Sequence, residues 1–174
     1  KGYKAGEASA ANAAFVWSIT RKPGIDIRLA MHSFSIHRQL QDELDKDFEY
    51  VHNGGLLVID DEGQFPFIEA HLDARAEDGY PLEMIDAKQV FELEPLLNRE
   101  RILGAVFCAD DGTTNPIFLV ISLNLQAQKL GAKIFHHTEV QGIEVQGGKV
   151  KGVITDKGTI RTETVVNAAG SWGC

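Results

Sequence analysis

The residues predict an α+β fold. Helices and strands alternate too irregularly for a simple doubly wound sheet. One long helix, Pro116 to Leu130, is apolar nearly all round and is expected to be buried on more than one side. The last third reads as a meander of short strands joined by glycine turns.

Taken in order, the chain opens with two glycines, then Ala8-Ser9-Ala10-Ala11-Asn12-Ala13-Ala14 and Phe15-Val16-Trp17. The small-residue run has two readings. Alanine is the best helix former, so it is a plain helix. Alternatively it is a helix amino end whose free N–H groups face an anion, with Ser9 or Asn12 capping. Pro23-Gly24 is a turn. From Asp26 to about Lys46, Ile27, Ala30, Met31, Phe34, Ile36, Leu40 and Leu44 form a drifting apolar stripe at helical spacing. His32 and His37 are five apart, on different faces, and are not a shared metal pair.

Asn53-Gly54-Gly55 breaks the chain before a short buried strand, Leu56 to Ile59. Glu62-Gly63 opens a second helix of roughly 15 residues, with Ile68, Leu72 and Arg75 on one side and Gly79 as its stop. Leu82 to Ile85 is a strand. Asp86 and Gln89 have the spacing of a capping box, and the helix they start ends before Pro95. Ile102 to Ala109 is a further strand, in which Cys108 reads as a small buried hydrophobe. Asp110-Asp111-Gly112 lacks the ligand spacing of a calcium loop and reads as a solvated turn. Asn115 is the expected N-cap and Pro116 the first residue of the apolar helix, which Gly131 ends.

Lys133 to Phe135 is expected as a strand, and His136-His137 after it point to opposite faces, so they do not form a chelate. Val140–Val145, Val150–Thr155 and Thr159–Thr162 are the meander strands. Val165-Val166 is expected as a last buried strand, followed by the small residues Asn167-Ala168-Ala169-Gly170-Ser171, which let a backbone approach a flat or charged group closely.

The 174 residues are 44% hydrophobic and 24% charged, which predicts a packed core and excludes disorder. The net charge of -8 argues against nucleic-acid binding and against an anionic membrane surface. No apolar run approaches the roughly 20 residues of a membrane span, and no signal peptide is seen at the start. Cys108 and Cys174 are far apart, so a disulfide framework is not expected and a reducing, cytoplasmic location is. No Ser-His-Asp or Cys-His constellation and no metal site is read, and no catalytic residue is named.

The order Lys1-Gly2, Ala8 to Ala13, Gly131-Ala132-Lys133-Ile134-Phe135, Thr138-Glu139-Val140 and Val165 to Trp172 resembles the FAD-dependent amine and amino-acid oxidoreductases, the family of D-amino-acid oxidase, glycine oxidase and the sarcosine oxidase β-type subunit. The resemblance runs over the whole chain. It implies an interior piece of a Rossmann-like FAD-binding domain with an inserted mixed-sheet substrate domain and a small antiparallel meander. Residues 1–24 would be the FAD-contacting segment, 25–130 part of the substrate domain with the buried helix 116–130, and 131–174 the return to the FAD-binding domain. The Gly-x-Gly-x-x-Gly loop is not in this sequence, which also argues against a nicotinamide enzyme.

By the same resemblance, Lys1 would lie by the adenine ribose. Ala8, Ser9, Ala13, Ala14 and Phe15 would follow the pyrophosphate and ribityl chain toward the flavin. Val140 would pair its backbone with adenine, and Ala168, Ala169 and Gly170 would pass close to the cofactor. Ala10-Ala11-Asn12 stands where relatives carry Gly-Arg-Asn, so no arginine role is carried over, and Ala14 stands where glycine is common. The implied activity is oxidation of the CH–NH or CH–NH2 group of a small amino acid or secondary amine, with FAD as hydride acceptor. The alternative is a non-catalytic binding or assembly subunit of a flavoprotein complex. Whether the protein is a homo-oligomer or a subunit of a multi-chain dehydrogenase is left open.

Overall fold

A computed structural model describes residues 7–170 and 173. After a single 3-10 turn, Glu7–Ser9, the elements run β1 (Phe15–Val16), α1 (Ile25–Glu43), β2 (Gly55–Ile59), a 3-10 turn leading into α2 (Phe65–Glu77), β3 (Glu83–Asp86), α3 (Ala87–Leu93), β4 (Gly104–Cys108), β5 (Gly112–Thr113), α4 (Pro116–Lys129), β6 (Val140–Gln146), β7 (Lys149–Thr155) and β8 (Gly158–Arg161). The α+β expectation holds, and every strand pair among the described residues is antiparallel.

The middle sheet has the order β2-β4-β3 and is covered on both faces. Successive strand residues point to opposite sides, and β4 shows the consequence. Val106 and Cys108 join Ile19, Leu57, Ile68 and Leu72 on the face covered by α2. Ala105 and Phe107 join Ile85, Val90 and Leu97 on the face covered by α3. A third cluster, Val16, Phe34, Leu44, Phe48 and Tyr50, packs α1 against β1 and the start of α4.

The expected punctuation forms as read. Asp86 accepts from the Gln89 amide at 2.8 Å, and the Gln89 side chain accepts from the Asp86 N–H at 3.0 Å, completing the capping box. The Asn115 side-chain oxygen accepts from both Ile117 N and Phe118 N. Asn115→Ala strands those two N–H groups and is expected to cost about 1 kcal/mol. Chemical denaturation of the intact protein checks this, and no loss of stability would refute it.

Four kinds of expectation fail, for physical reasons. The Ala8–Ala14 run is not a helix beyond its first turn, because Asn12 Oδ1 takes the Ala14 N–H at 2.6 Å and closes a local turn in place of a helical bond. The segments Lys133–Phe135 and Val165–Val166 are not strands among the described residues. A strand needs a neighbour to take its N–H and C=O groups, and no β-ladder among the described residues involves these segments. Val166 is accordingly 83% exposed. Helix α4 keeps its length but not its burial: Ile117, Leu123 and Leu125 are exposed, and Ser122 is its one buried residue. The fourth concerns Asp111, described next.

Candidate functional site

Two cavities meet at one short wall. The first, of about 620 Å³, is lined by Phe15 and Trp17, the glycines Gly54, Gly55 and Gly112, and Leu97 and Phe107, among others. Its lining is largely apolar, and among the described residues Glu94 is the only ionisable side chain on it. The second, of about 450 Å³, is lined by Ser9, Asn12, Phe15, Trp17, Arg21, His37 and further residues of α1 and α4. Both volumes fall in the range of small-molecule sites, roughly 300–1,000 Å³.

The glycines matter at two points. A Cβ on Gly54, which has φ +79°, would lie 2.6 Å from the Phe107 ring. A Cβ on Gly112 would overlap the Val51 carbonyl oxygen, because Thr113 exchanges backbone hydrogen bonds with Val51, both at 2.9 Å. These positions let β5 run between β1 and Val51.

The wall itself is anchored from beneath by a buried polar network. Asp111 is fully buried, which corrects the solvated-turn expectation; Asp110 alone faces water, where it pairs with Arg38. The Asp111 carboxylate accepts from Ser18 N at 2.8 Å, Ser18 Oγ at 2.6 Å and Ile19 N at 3.3 Å. A carboxylate leaves water only where such donors replace it. On the carbonyl side, Arg75 Nη1 donates to Ser18 O at 2.8 Å, and the His71 ring lies 2.7 Å from Ile19 O. Arg75 is 1% exposed, and its Nε is buried without a partner. Burial lowers the pKa of the Arg75 guanidinium, opposed by nearby Cys108 and Asp111.

Cys108 Sγ sits 3.3 Å from Ser18 Oγ. Burial pushes its pKa above the ordinary 9.0, opposed by the Ser18 hydroxyl and reinforced by Asp111. A raised folded pKa stabilises the fold fully below the ordinary value and loses that contribution as pH rises through the folded one. The stability difference between the intact protein and its Cys108→Ala variant is therefore expected to narrow between about pH 8 and about pH 10.5. Denaturation at the two pH values reads it, and a constant difference would refute the assignment.

Of the residues singled out in the sequence, Ala8 and Ser9 lie on the first turn, Ala13 and Ala14 in the loop after it, and Phe15 opens β1. Ala14 has φ +66°, a conformation that suits glycine. Ser9 and Phe15 line the same cavity. Val140 starts β6, an edge strand, and is 63% exposed. Ala168, Ala169 and Gly170 follow the meander and are exposed. Neither Val140 nor this trio lines either cavity. Lys1, Ser171, Trp172 and Cys174 lie outside the described residues. Among the described residues no cluster of three or more His, Cys, Asp or Glu is arranged to hold a metal, and no helix is long and apolar enough to cross a membrane. Ser18, Arg75 and Asp111 were not singled out as site residues. Their one signal was an arginine on the apolar side of α2.

The family model for the FAD dependent oxidoreductases, DAO, matches residues 1–174. The chain belongs to that family. Relatives of this DAO-family chain include the D-amino acid dehydrogenase of Sinorhizobium medicae, 32% identical over 148 residues, 84% of this chain and 36% of that protein. The mitochondrial pyruvate dehydrogenase phosphatase regulatory subunit of Mus musculus is 28% identical over 157 residues, 90% of this chain and 18% of that protein. Among solved structures, glycine oxidase from Bacillus cereus superposes with a TM-score of 0.83 at 31% identity, covering 97% of this chain and 48% of that one. The DAO-family chain thus spans less than half the length of each.

The family cofactor is FAD, and the residues present suit part of it. The apolar cavity presents the rings of Phe15, Trp17 and Phe107, surfaces that suit a flat ring system, while its glycines make room for the protein's own Phe107 ring, Trp17, Asp111 and Val51 carbonyl. The run Ala8–Ala14 carries no side chain longer than that of Asn12. The chain contains no Gly-x-Gly-x-x-Gly with which to cradle a pyrophosphate.

Proposed function

We propose that this chain forms the substrate-side wall and part of the FAD contact of an oxidoreductase acting on the CH–NH or CH–NH2 group of a small amino acid or secondary amine. The observation that carries it is the apolar, glycine-rimmed cavity against Phe15 and Trp17, next to a small-residue run. When bound, FAD supplies the hydride acceptor. The protein's own part is to bind, orient and keep water away. Phe15, Trp17, Leu97 and Phe107 would hold the apolar part of an amine and exclude solvent from the reacting carbon. Among the described residues no ionisable side chain other than Glu94 lines that space, so the substrate carboxylate would be held by groups elsewhere in the intact protein.

The cofactor contacts we assign are Lys1, Ala8, Ser9, Ala13, Ala14, Phe15, Val140, Ala168, Ala169 and Gly170. Ala14 in a glycine-like conformation supports close approach by the cofactor there. Among the described residues β6 is an edge strand, which supports the pairing of Val140 with adenine. The division we assign is 1–24 for cofactor contact, 25–130 for the substrate domain and 131–174 for the return to the FAD-binding domain. Cys108, free and buried, suits the cytoplasmic location expected from the cysteine usage.

The intact parent protein is expected to purify with flavin absorbance and to reduce a dye acceptor with at least one member of an amine and amino-acid panel. Stoichiometric flavin with no turnover on any amine would favour the assembly-subunit alternative. The 174-residue chain alone is expected to bind FAD more weakly by about two orders of magnitude or more, because the helix-end phosphate cradle is not in it. Flavin fluorescence titration reads this, and tight stoichiometric binding by the chain alone would overturn the division of labour.

A further inference from the structure

We propose that Asp111, Ser18 and Arg75 are positioning residues that set the place of the Phe15–Trp17 wall, and with it the size of amine the cavity accepts. The inference rests on the functional reading above.

The wall is short and poorly held by its own ladder. Strand β1 has only two residues paired with β5, Phe15 with Thr113 and Val16 with Gly112. Phe15 is 64% exposed, so packing alone does not fix it. Two residues later the chain is clamped on both edges of its backbone. Asp111 takes the N–H groups of Ser18 and Ile19, and Arg75 takes the Ser18 carbonyl. Asp111 directly precedes Gly112, so the same residue that grips the wall also fixes the strand beside it. Its own carbonyl accepts from Gly54 N at 2.8 Å, which ties in the glycine rim opposite. Three sides of the cavity thus converge on one buried residue, the wall through its carboxylate and the other two through its backbone. Charge buried in this way favours a single geometry, since any displacement leaves donors and acceptors unmet.

The test uses the intact flavoprotein and a series of amines of increasing apolar size, with rates normalised per bound flavin. In Asp111→Asn the amide nitrogen meets the Ile19 N–H, donor against donor. The expected result is a loss in kcat/KM that grows along the series, about tenfold for the smallest amine and about a hundredfold for the largest. Ser18→Ala removes one of the three donors and is expected to show the same trend at about a tenth of the size; it serves if Asp111→Asn does not fold. A loss uniform along the series in the variants that fold, or none, would overturn the proposal, because a merely structural defect removes active sites without changing selectivity.

A second readout needs no turnover. Cys108 Sγ lies against Ser18 Oγ, so a displaced wall should raise the limiting thiolate rate of Cys108 alkylation by iodoacetamide, taken from the pH–rate profile of each protein so that altered thiol ionisation is removed and followed by peptide mass, at least tenfold in Asp111→Asn or, if that variant does not fold, measurably in Ser18→Ala. An unchanged rate would overturn the clamp. If the rate rises but no amine is oxidised even by the unaltered protein, the functional reading fails and the clamp stands.

Discussion

Replacing Arg75 by methionine is expected to destabilise the intact protein by about 1–3 kcal/mol, the range for removing a buried charged donor from its acceptor. Methionine fills much of the same space and suits the surrounding Ile19, Ile68 and Leu72, so little of the loss is cavity formation. What is lost is the donor to Ser18 O and the positive charge that accompanies buried Asp111. The buried Ser18 carbonyl keeps only the Arg21 N–H at 2.9 Å, and the Asp111 carboxylate keeps its three donors but loses a nearby positive charge. Arg75→Lys keeps the charge but loses the planar fork, and is expected to recover only part of the stability. Denaturant titration of the three proteins decides it. Equal stability of Arg75→Met and the unaltered protein would mean that the arginine sits there without holding the wall.

Gly112→Ala is the second large effect. The added methyl collides with the Val51 carbonyl and comes within 3.2 Å of the His52 Cα, all of it backbone. No rotamer change relieves that, so β5 must part from Val51 or from β1. The expected cost is about 3 kcal/mol, the upper end for inserting a methyl into a packed site. Loss of bound flavin should accompany it, since Gly112 lines the apolar cavity. Gly142→Ala is the control: nothing lies within 4 Å of its added Cβ and its φ is ordinary, so its stability should stay within about 0.5 kcal/mol. Gly112→Ala behaving like Gly142→Ala would mean that the Gly112–Val51 approach is looser than described.

Local signals were the readable part of this sequence. Asp86 with Gln89, Asn115 with Pro116, and Gly79 and Gly131 each act through atoms a few residues away, so spacing alone reveals them. The meander was readable for the same reason: its turns are two residues long and its partners are consecutive. Apart from the Ala8–Ala14 run, undone by the local Asn12 turn, the failures involve distant partners. Lys133–Phe135 and Val165–Val166 have strand composition, yet a strand also needs a neighbour that no nearby segment supplies. Asp111 looked solvated because Asp-Gly usually marks a turn; its donors are 93 and 92 residues earlier in the chain. The candidate site was half legible. Phe15 and the small-residue run were singled out, whereas the wall's role in two cavities comes from the pairing of β1 with β5.

That shared wall has a thermodynamic consequence. Phe15 and Trp17 border both hollows, so a guest on one side that shifts either ring alters the space on the other. Linkage makes such an influence mutual: whatever factor the first guest imposes on the second, the second imposes on the first. Titrating one in the presence of the other measures that factor directly, and a value of one would show the partition to be rigid.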